Sequence, residues 1–77
     1  MMAAKHEATN TEALVWYFTF GVDHPLQGKV QPVRGSYQEA REKMFAIYGH
    51  NWCSQLSRQE AAEQIGAYGY QLLPEVE

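Results

Sequence analysis

Seventy-seven residues with a formal net charge of −3, six basic side chains and one cysteine bound the protein to a single small domain. Cys53 stands alone, so no disulfide can staple the chain, and the few scattered Lys and Arg residues argue against a duplex-DNA or RNA binder with its dense basic stripe. No apolar stretch reaches membrane-spanning length and a lone thiol suits a reducing compartment, so a soluble, cytoplasmic protein is expected, with no membrane association.

So short a chain hides only about 60% of the surface it exposes when unfolded, which leaves a thin core. The aromatic side chains compensate, each burying about 150–250 Å², and a homodimer would be another way to complete the core. Residues 1–12 are small, polar and aperiodic and read as a disordered tail, followed by one domain over residues 13–77.

"ALVWYFTF" (Ala13 to Phe20) predicts a strand, dense in aromatic and β-branched residues. Leu14, Trp16, Phe18 and Phe20 fall on one face and Val15, Tyr17 and Thr19 on the other. Both faces are largely apolar, which makes this the central strand. "VDHPLQG" is the seven-residue tip of a hairpin, and "KVQPVR" the returning strand. Pro32 cannot donate to a ladder, so the second strand belongs on an edge or at a bulge.

"SYQEAREKMFAIYG" and "SRQEAAEQIGAYG" then repeat one pattern: Ser, Glu three residues later, Tyr-Gly at the close. Ser36 with Glu39, and Ser57 with Glu60, have capping-box spacing, and Gly49 and Gly69 supply left-handed stops. The predicted buried stripes are Tyr37, Ala40, Met44, Ile47 and Tyr48 in the first helix, and Ala61, Ile65 and Tyr68 in the second, which Gly66 weakens. Glu39 and Lys43 form an i,i+4 pair on the wet side. Two unequal copies do not make a solenoid, which needs at least about three units, so the echo is helix grammar. Short strands follow each helix, in "NWCSQL" and "YQLLPEV". The expected fold is α+β: a small antiparallel sheet in β-β-α-β-α-β order, with one main helix packed on one face.

Chemistry has few footholds. Cys53 follows a helix C-terminus, where the macrodipole opposes a thiolate, and reads as a small buried hydrophobe beside Trp52. His50 reads as a helix-end cation capping free carbonyls. His50, Cys53 and His24 could form a zinc half-site, but no second Cys/His pair completes it, so a metal-binding domain is only an alternative. The acidic pairs Glu39–Glu42 and Glu60–Glu63 read as solvated surface, and phosphate-loop and hydrolase signatures are absent. No cofactor is implied, and a non-enzymatic role is expected. What remains is surface: Tyr17, Asp23, His24 and Tyr70 are the candidate partner-binding residues, with Glu39 and Glu42 on an acidic helix face.

"WYFTFGVDHPLQGKV" followed by "SYQEAREKMFAIYGHNW" resembles a family of short proteins encoded by bacteriophages and integrated elements. These share an F-T-F-G strand end, a loop with His or Gln before Pro or Leu, and a helix of the form E-A-R-E-x-M-F-x-x-Y/F-G with a Trp shortly after. The likeness runs from about Trp16 to Leu73 and departs at "CSQL", where the family pattern is richer in aromatics. It carries over no catalytic residue. It implies a phage or mobile-element origin and, by analogy of origin, a protein in the host bacterial cytosol that binds and blocks a host protein or ribonucleoprotein complex, most sharply as an anti-CRISPR inhibitor of a CRISPR–Cas effector. A self-associating structural or assembly protein of a phage is the other expectation.

Overall fold

The computed structural model describes residues 14–77; the tail read at residues 1–12, and Ala13 at the head of the predicted strand, lie outside the described residues. The order is β1 (Val15–Thr19), β2 (Lys29–Arg34), α1 (Tyr37–Tyr48), β3 (Ser54–Leu56), α2 (Arg58–Tyr68) and β4 (Gln71–Leu72). That is the α+β class and the element order the sequence predicts.

The aromatic strand β1 lies inside the sheet, whose strand order is β3-β1-β2-β4. It pairs antiparallel with β2, Trp16 opposite Val33 and Phe18 opposite Gln31, and antiparallel with β3, Tyr17 opposite Leu56. The last strand breaks the all-antiparallel expectation. β4 runs parallel to β2, with Lys29 opposite Gln71 and Val30 opposite Leu72, so the sheet is mixed. Parallel neighbours cannot be joined by a tight hairpin and need a long crossover, and here the chain from β2 to β4 runs through α1, β3 and α2.

β2 is an interior strand despite Pro32, which places the proline at a bulge rather than an edge. Val30 O accepts from Leu73 N–H and Arg34 N–H donates to Val76 O, so this side of β2 faces the C-terminal segment. A regular parallel ladder would call on an N–H at residue 32, which Pro32 lacks. The partner chain skips that rung: Pro32 O accepts from Val76 N–H, three residues after Leu73 where two would keep register. The bulged Pro74 carbonyl is not left unpaired, because the buried Gln31 side chain donates to it at 2.7 Å and to Pro32 O at 3.0 Å. Gln31 Oε1 in turn accepts from the Tyr48 hydroxyl at 2.9 Å. One buried amide thus ties β2, the C-terminal segment and α1 together.

Alternation along β1 sorts the core into two halves. Phe18 and Phe20 pack with Val33 and with Ala40 and Met44 of α1, with Trp16, Tyr48 and Trp52 at the margin. On the other face Val30, Leu56 and Ala61 are buried, and α2 packs against β1 and β3. The crossovers β2–α1–β3 and β3–α2–β4 step in opposite directions along the sheet, and right-handed connections then put the two helices on opposite faces. The expected single main helix on one face is correct for α1; α2 is a second, thinner layer.

Both helices begin with complete capping boxes; α2 stops on Gly69 in the expected left-handed conformation (φ 72°, ψ 28°), whereas Gly49 after α1 has φ 64° but ψ −133° and is not the left-handed helical stop expected. Neither stripe is buried along its whole length: Tyr37 and Ile47 of α1 and Tyr68 of α2 are exposed. Lys43 also departs from its predicted pairing. Its ammonium donates to the main-chain oxygens of Arg34 and Glu77 at 2.7 and 2.8 Å, and so binds the C-terminal segment to α1. Among the described residues no helix is long and apolar enough to cross a membrane.

Candidate functional site

The predicted site residues are distributed over the fold rather than gathered. Tyr17 lies half-buried on the sheet face shared with Leu56 and Pro32. Tyr70 stacks on Tyr68 at 5.5 Å, just ahead of β4 on the far edge. Glu39 belongs to the α1 capping box, and Glu42 is exposed, with the Gln38 amide 3.4 Å away. Only Asp23 and His24 come together, in the hairpin tip.

That tip is a series of turns, His24 N–H to Gly21 O, Gln27 N–H to His24 O and Lys29 N–H to Leu26 O. His24 Nδ1 accepts from Leu26 N–H at 3.0 Å, which leaves its Nε2 to carry the proton of the neutral ring, and the ring lies 4.6 Å from Phe20. The loop folds towards the segment after α1, and Asp23, His24, Trp52 and Cys53 line one open cleft of about 740 Å³. Cys53 is exposed and sits ahead of β3, not buried within a strand as expected. The His50 ring lies tilted against Phe45 at 5.0 Å, and it is the Trp52 indole N–H that donates to Gly49 O at the helix end. Among the described residues no three His, Cys, Asp or Glu side chains gather as metal ligands.

The side chains that do converge lie along one flank of α1. The buried positions Ala40 and Met44 and half-buried Tyr48 define the face of α1 turned to the sheet. Tyr37, Arg41 and Phe45 follow one another a turn apart beside it, on the flank towards β3. The body of α1 packs on β1 and β2, so between the helix and the β3 edge the sheet is paved by side chains alone. The Arg41 guanidinium lies 5.1 Å from the Trp52 ring centre and 5.7 Å from those of Tyr37 and Phe45. Beneath them Trp16 meets Tyr37 edge-on at 5.0 Å, and Phe18 meets Trp52 at the same distance.

Hydrogen bonds fix this arrangement. Gln55, on β3, accepts from Arg41 Nη1 at 2.9 Å and donates to Tyr37 O at 3.0 Å, so both ends of its amide are engaged. The cluster is hydrogen-bonded but not sealed, since Tyr37 is 48% exposed and Phe45 37%. Sequence reasoning placed Tyr37 in the core and passed over Arg41 and Phe45. The i, i+4, i+8 spacing of Tyr37, Arg41 and Phe45 beside the buried stripe was the available signal.

The helix N-termini offer no anion site of the usual kind, because each is filled by its own carboxylate. Glu39 Oε1 accepts from Ser36 N–H at 2.9 Å and Glu60 Oε1 from Ser57 N–H at 2.8 Å. The Ser36 main-chain bond is the largest cause holding the Glu39 carboxyl below its ordinary 4.5; desolvation comes next and opposes it, while the Ser36 hydroxyl and then the charge of Lys43 reinforce it. No protein-family model matches the chain, and no curated protein and no solved structure matches it.

Proposed function

We propose that the protein acts by binding a partner protein through the α1–β3 flank and performs no chemistry of its own. The observation that carries this reading is the set of rings around Arg41. Trp, Tyr and Arg are the residue types that dominate binding hot spots, and here they are half-exposed and already held in place. Side chains locked before binding lose little freedom on association, which favours affinity from a small surface. The tip cleft with Asp23 and His24 adjoins the flank through Trp52, so a partner reaching over Trp52 meets both.

The narrower reading follows from the sequence resemblance: a phage or mobile-element protein that blocks a host protein machine, most sharply a CRISPR–Cas effector. Its acidic balance suits a protein that covers a nucleic-acid channel rather than one that binds nucleic acid. A second reading, self-association, draws support from Leu72 and Tyr68, both more than half exposed beside the two-residue edge strand β4.

The test is an affinity capture from nuclease-treated bacterial lysate with tagged wild type and a Tyr37→Ala/Phe45→Ala variant. One stoichiometric protein or complex on the wild type, absent from a variant with an unchanged circular dichroism spectrum, is the expected result. Equal capture by both removes the flank as the site. A clean wild-type bait that sediments as a dimer favours self-association. For the narrower reading, expression in cells that clear a phage by CRISPR interference should restore plaques; unchanged clearance rejects it.

A further inference from the structure

We infer that Arg41 is a carboxylate-recognition point, and that the segment docking on the α1–β3 flank presents an Asp or Glu side chain bracketed by large apolar residues. This rests on the reading of the flank as a protein-binding surface and adds the chemistry of its occupant.

The basic side chains of the described region differ in how they are used. Arg34 is paired with Glu75 at 2.8 Å, Lys43 is held by two main-chain oxygens, and Lys29 donates to Gln71 Oε1. Arg58 stands exposed in the first turn of α2. Arg41 alone combines partial burial, a fixed position and the lack of a carboxylate partner among the described residues. A guanidinium carries five N–H donors in a planar fork. Its hydrogen bonds among the described residues come from Nη1, to Gln55 at 2.9 Å and to the Tyr37 hydroxyl at the outer limit of 3.5 Å. Nε and Nη2 keep donors for a ligand, and a carboxylate is the group whose two oxygens match that fork.

The surroundings decide between a carboxylate and a polyanion. One cation is set among aromatic rings, with Glu42 exposed as the next residue along the helix and the other α1 cation, Lys43, committed to the C-terminal segment. A phosphate backbone needs several cations in line, and the chain as a whole carries −3. A single acidic side chain needs one. The rings of Tyr37, Phe45 and Trp52 would cover the ion pair and contact the apolar neighbours of the acid, so that water is excluded where the charges meet. The flank therefore fits an acidic–apolar peptide segment rather than nucleic acid.

The experiment is selection of short random peptides displayed against the immobilised full chain, then titration of the consensus peptide with wild type, Arg41→Gln, Arg41→Lys and Phe45→Ala. The consensus should hold Asp or Glu next to Leu, Phe or Met, and Arg41→Gln should weaken binding by about ten-fold or more. Arg41→Lys should rescue little of that loss, because an ammonium cannot fork. Replacing the peptide's acid by its amide should weaken binding to wild type and leave binding to Arg41→Gln unchanged. A consensus without an acid, or an acid whose removal affects both proteins equally, overturns the inference, as does displacement of the peptide by single-stranded RNA. Loss of binding in Phe45→Ala but not in Arg41→Gln refutes the inference and leaves the flank standing as an interface. Failure to select any peptide, or retention by every variant, refutes both.

Discussion

The two helices of this protein begin in the same way, stop at glycines of different backbone conformation, and do different work. Ser36 and Glu39 exchange hydrogen bonds at 3.1 and 2.9 Å, Ser57 and Glu60 at 3.2 and 2.8 Å, and each helix closes with a glycine N–H bonded four residues back. Between those ends the copies part. The first carries Arg41, Met44 and Phe45 where the second carries Ala62, Ile65 and Gly66. α1 buries Ala40 and Met44 and holds a paved flank; α2 buries only Ala61 and leaves most of its surface to solvent. A shared capping grammar fixes where helices start and stop. How deeply each one seats, and what it presents, is set by the positions between the caps.

The largest effect expected from that contrast is in the core. Met44 and Ile65 occupy corresponding places, four residues after the buried Ala40 and Ala61. Met44 is fully buried among Phe18, Phe20 and Val33, so Met44→Ala should cost about 2–5 kcal/mol in urea unfolding. Ile65 is only half-buried, and Ile65→Ala should cost about 1–2 kcal/mol. Equal losses would mean that α2 is as integral to the core as α1, and the comparison would fail.

Much of this was legible in the chain. The Ser-x-x-Glu spacing located both helix starts to the residue, because a capping box is a local hydrogen-bond pattern that needs no tertiary partner. The density of aromatic and β-branched residues in "VWYFT" marked the inner strand for the same kind of reason: few other environments accept both faces. Pro32 signalled irregularity but not which kind, since the choice between edge and bulge depends on whether the C-terminal segment returns to its side. Gln31 gave no warning, because a polar residue in a strand reads as solvent-facing until the bulged Pro74 and Tyr48 are placed around it. Cys53 was misread because Asn51 to Cys53 form a connector ahead of β3, which leaves its side chain at the surface, and the helix-end carbonyl of Gly49 takes the Trp52 indole N–H rather than His50. The site was the least legible part. Tyr37, Arg41 and Phe45 are one turn apart in sequence, but the cluster acquires its meaning only when that connector brings Trp52 and Gln55 across from β3.

A smaller effect, of opposite sign, should come from Gly66 inside α2. A Cβ built there meets nothing within 4 Å, so the residue is not required by close packing. Gly66→Ala should therefore stabilise the protein by roughly 0.5–1 kcal/mol, through helix propensity and a more restricted unfolded chain. Hydrogen exchange of α2 amides should slow correspondingly. Destabilisation instead would show that the α2 surface is constrained by something that touches it, and would draw the two helices closer in role.

The smallest difference between the copies is electrostatic, because Lys43 of α1 stands where α2 has Gln64. Glu39 is held below its ordinary 4.5 chiefly by the Ser36 main-chain N–H, against desolvation, with the Ser36 hydroxyl and Lys43 adding to the lowering. A carboxyl whose folded value lies below its unfolded value binds its proton more readily in the unfolded chain. It contributes stability above about 4.5 and loses that contribution as pH falls through the lowered folded value. The gap in unfolding free energy between wild type and Glu39→Gln should thus be present near neutral pH and close on acidification below that range. Lys43→Gln, which gives α1 the residue of α2, should narrow the same window while leaving the Ser36 bonds in place. A gap that stays constant down to the most acid conditions in which the protein remains folded would mean that the carboxylate acts at this cap through hydrogen-bond geometry alone, and that its charge adds nothing to distinguish α1 from α2.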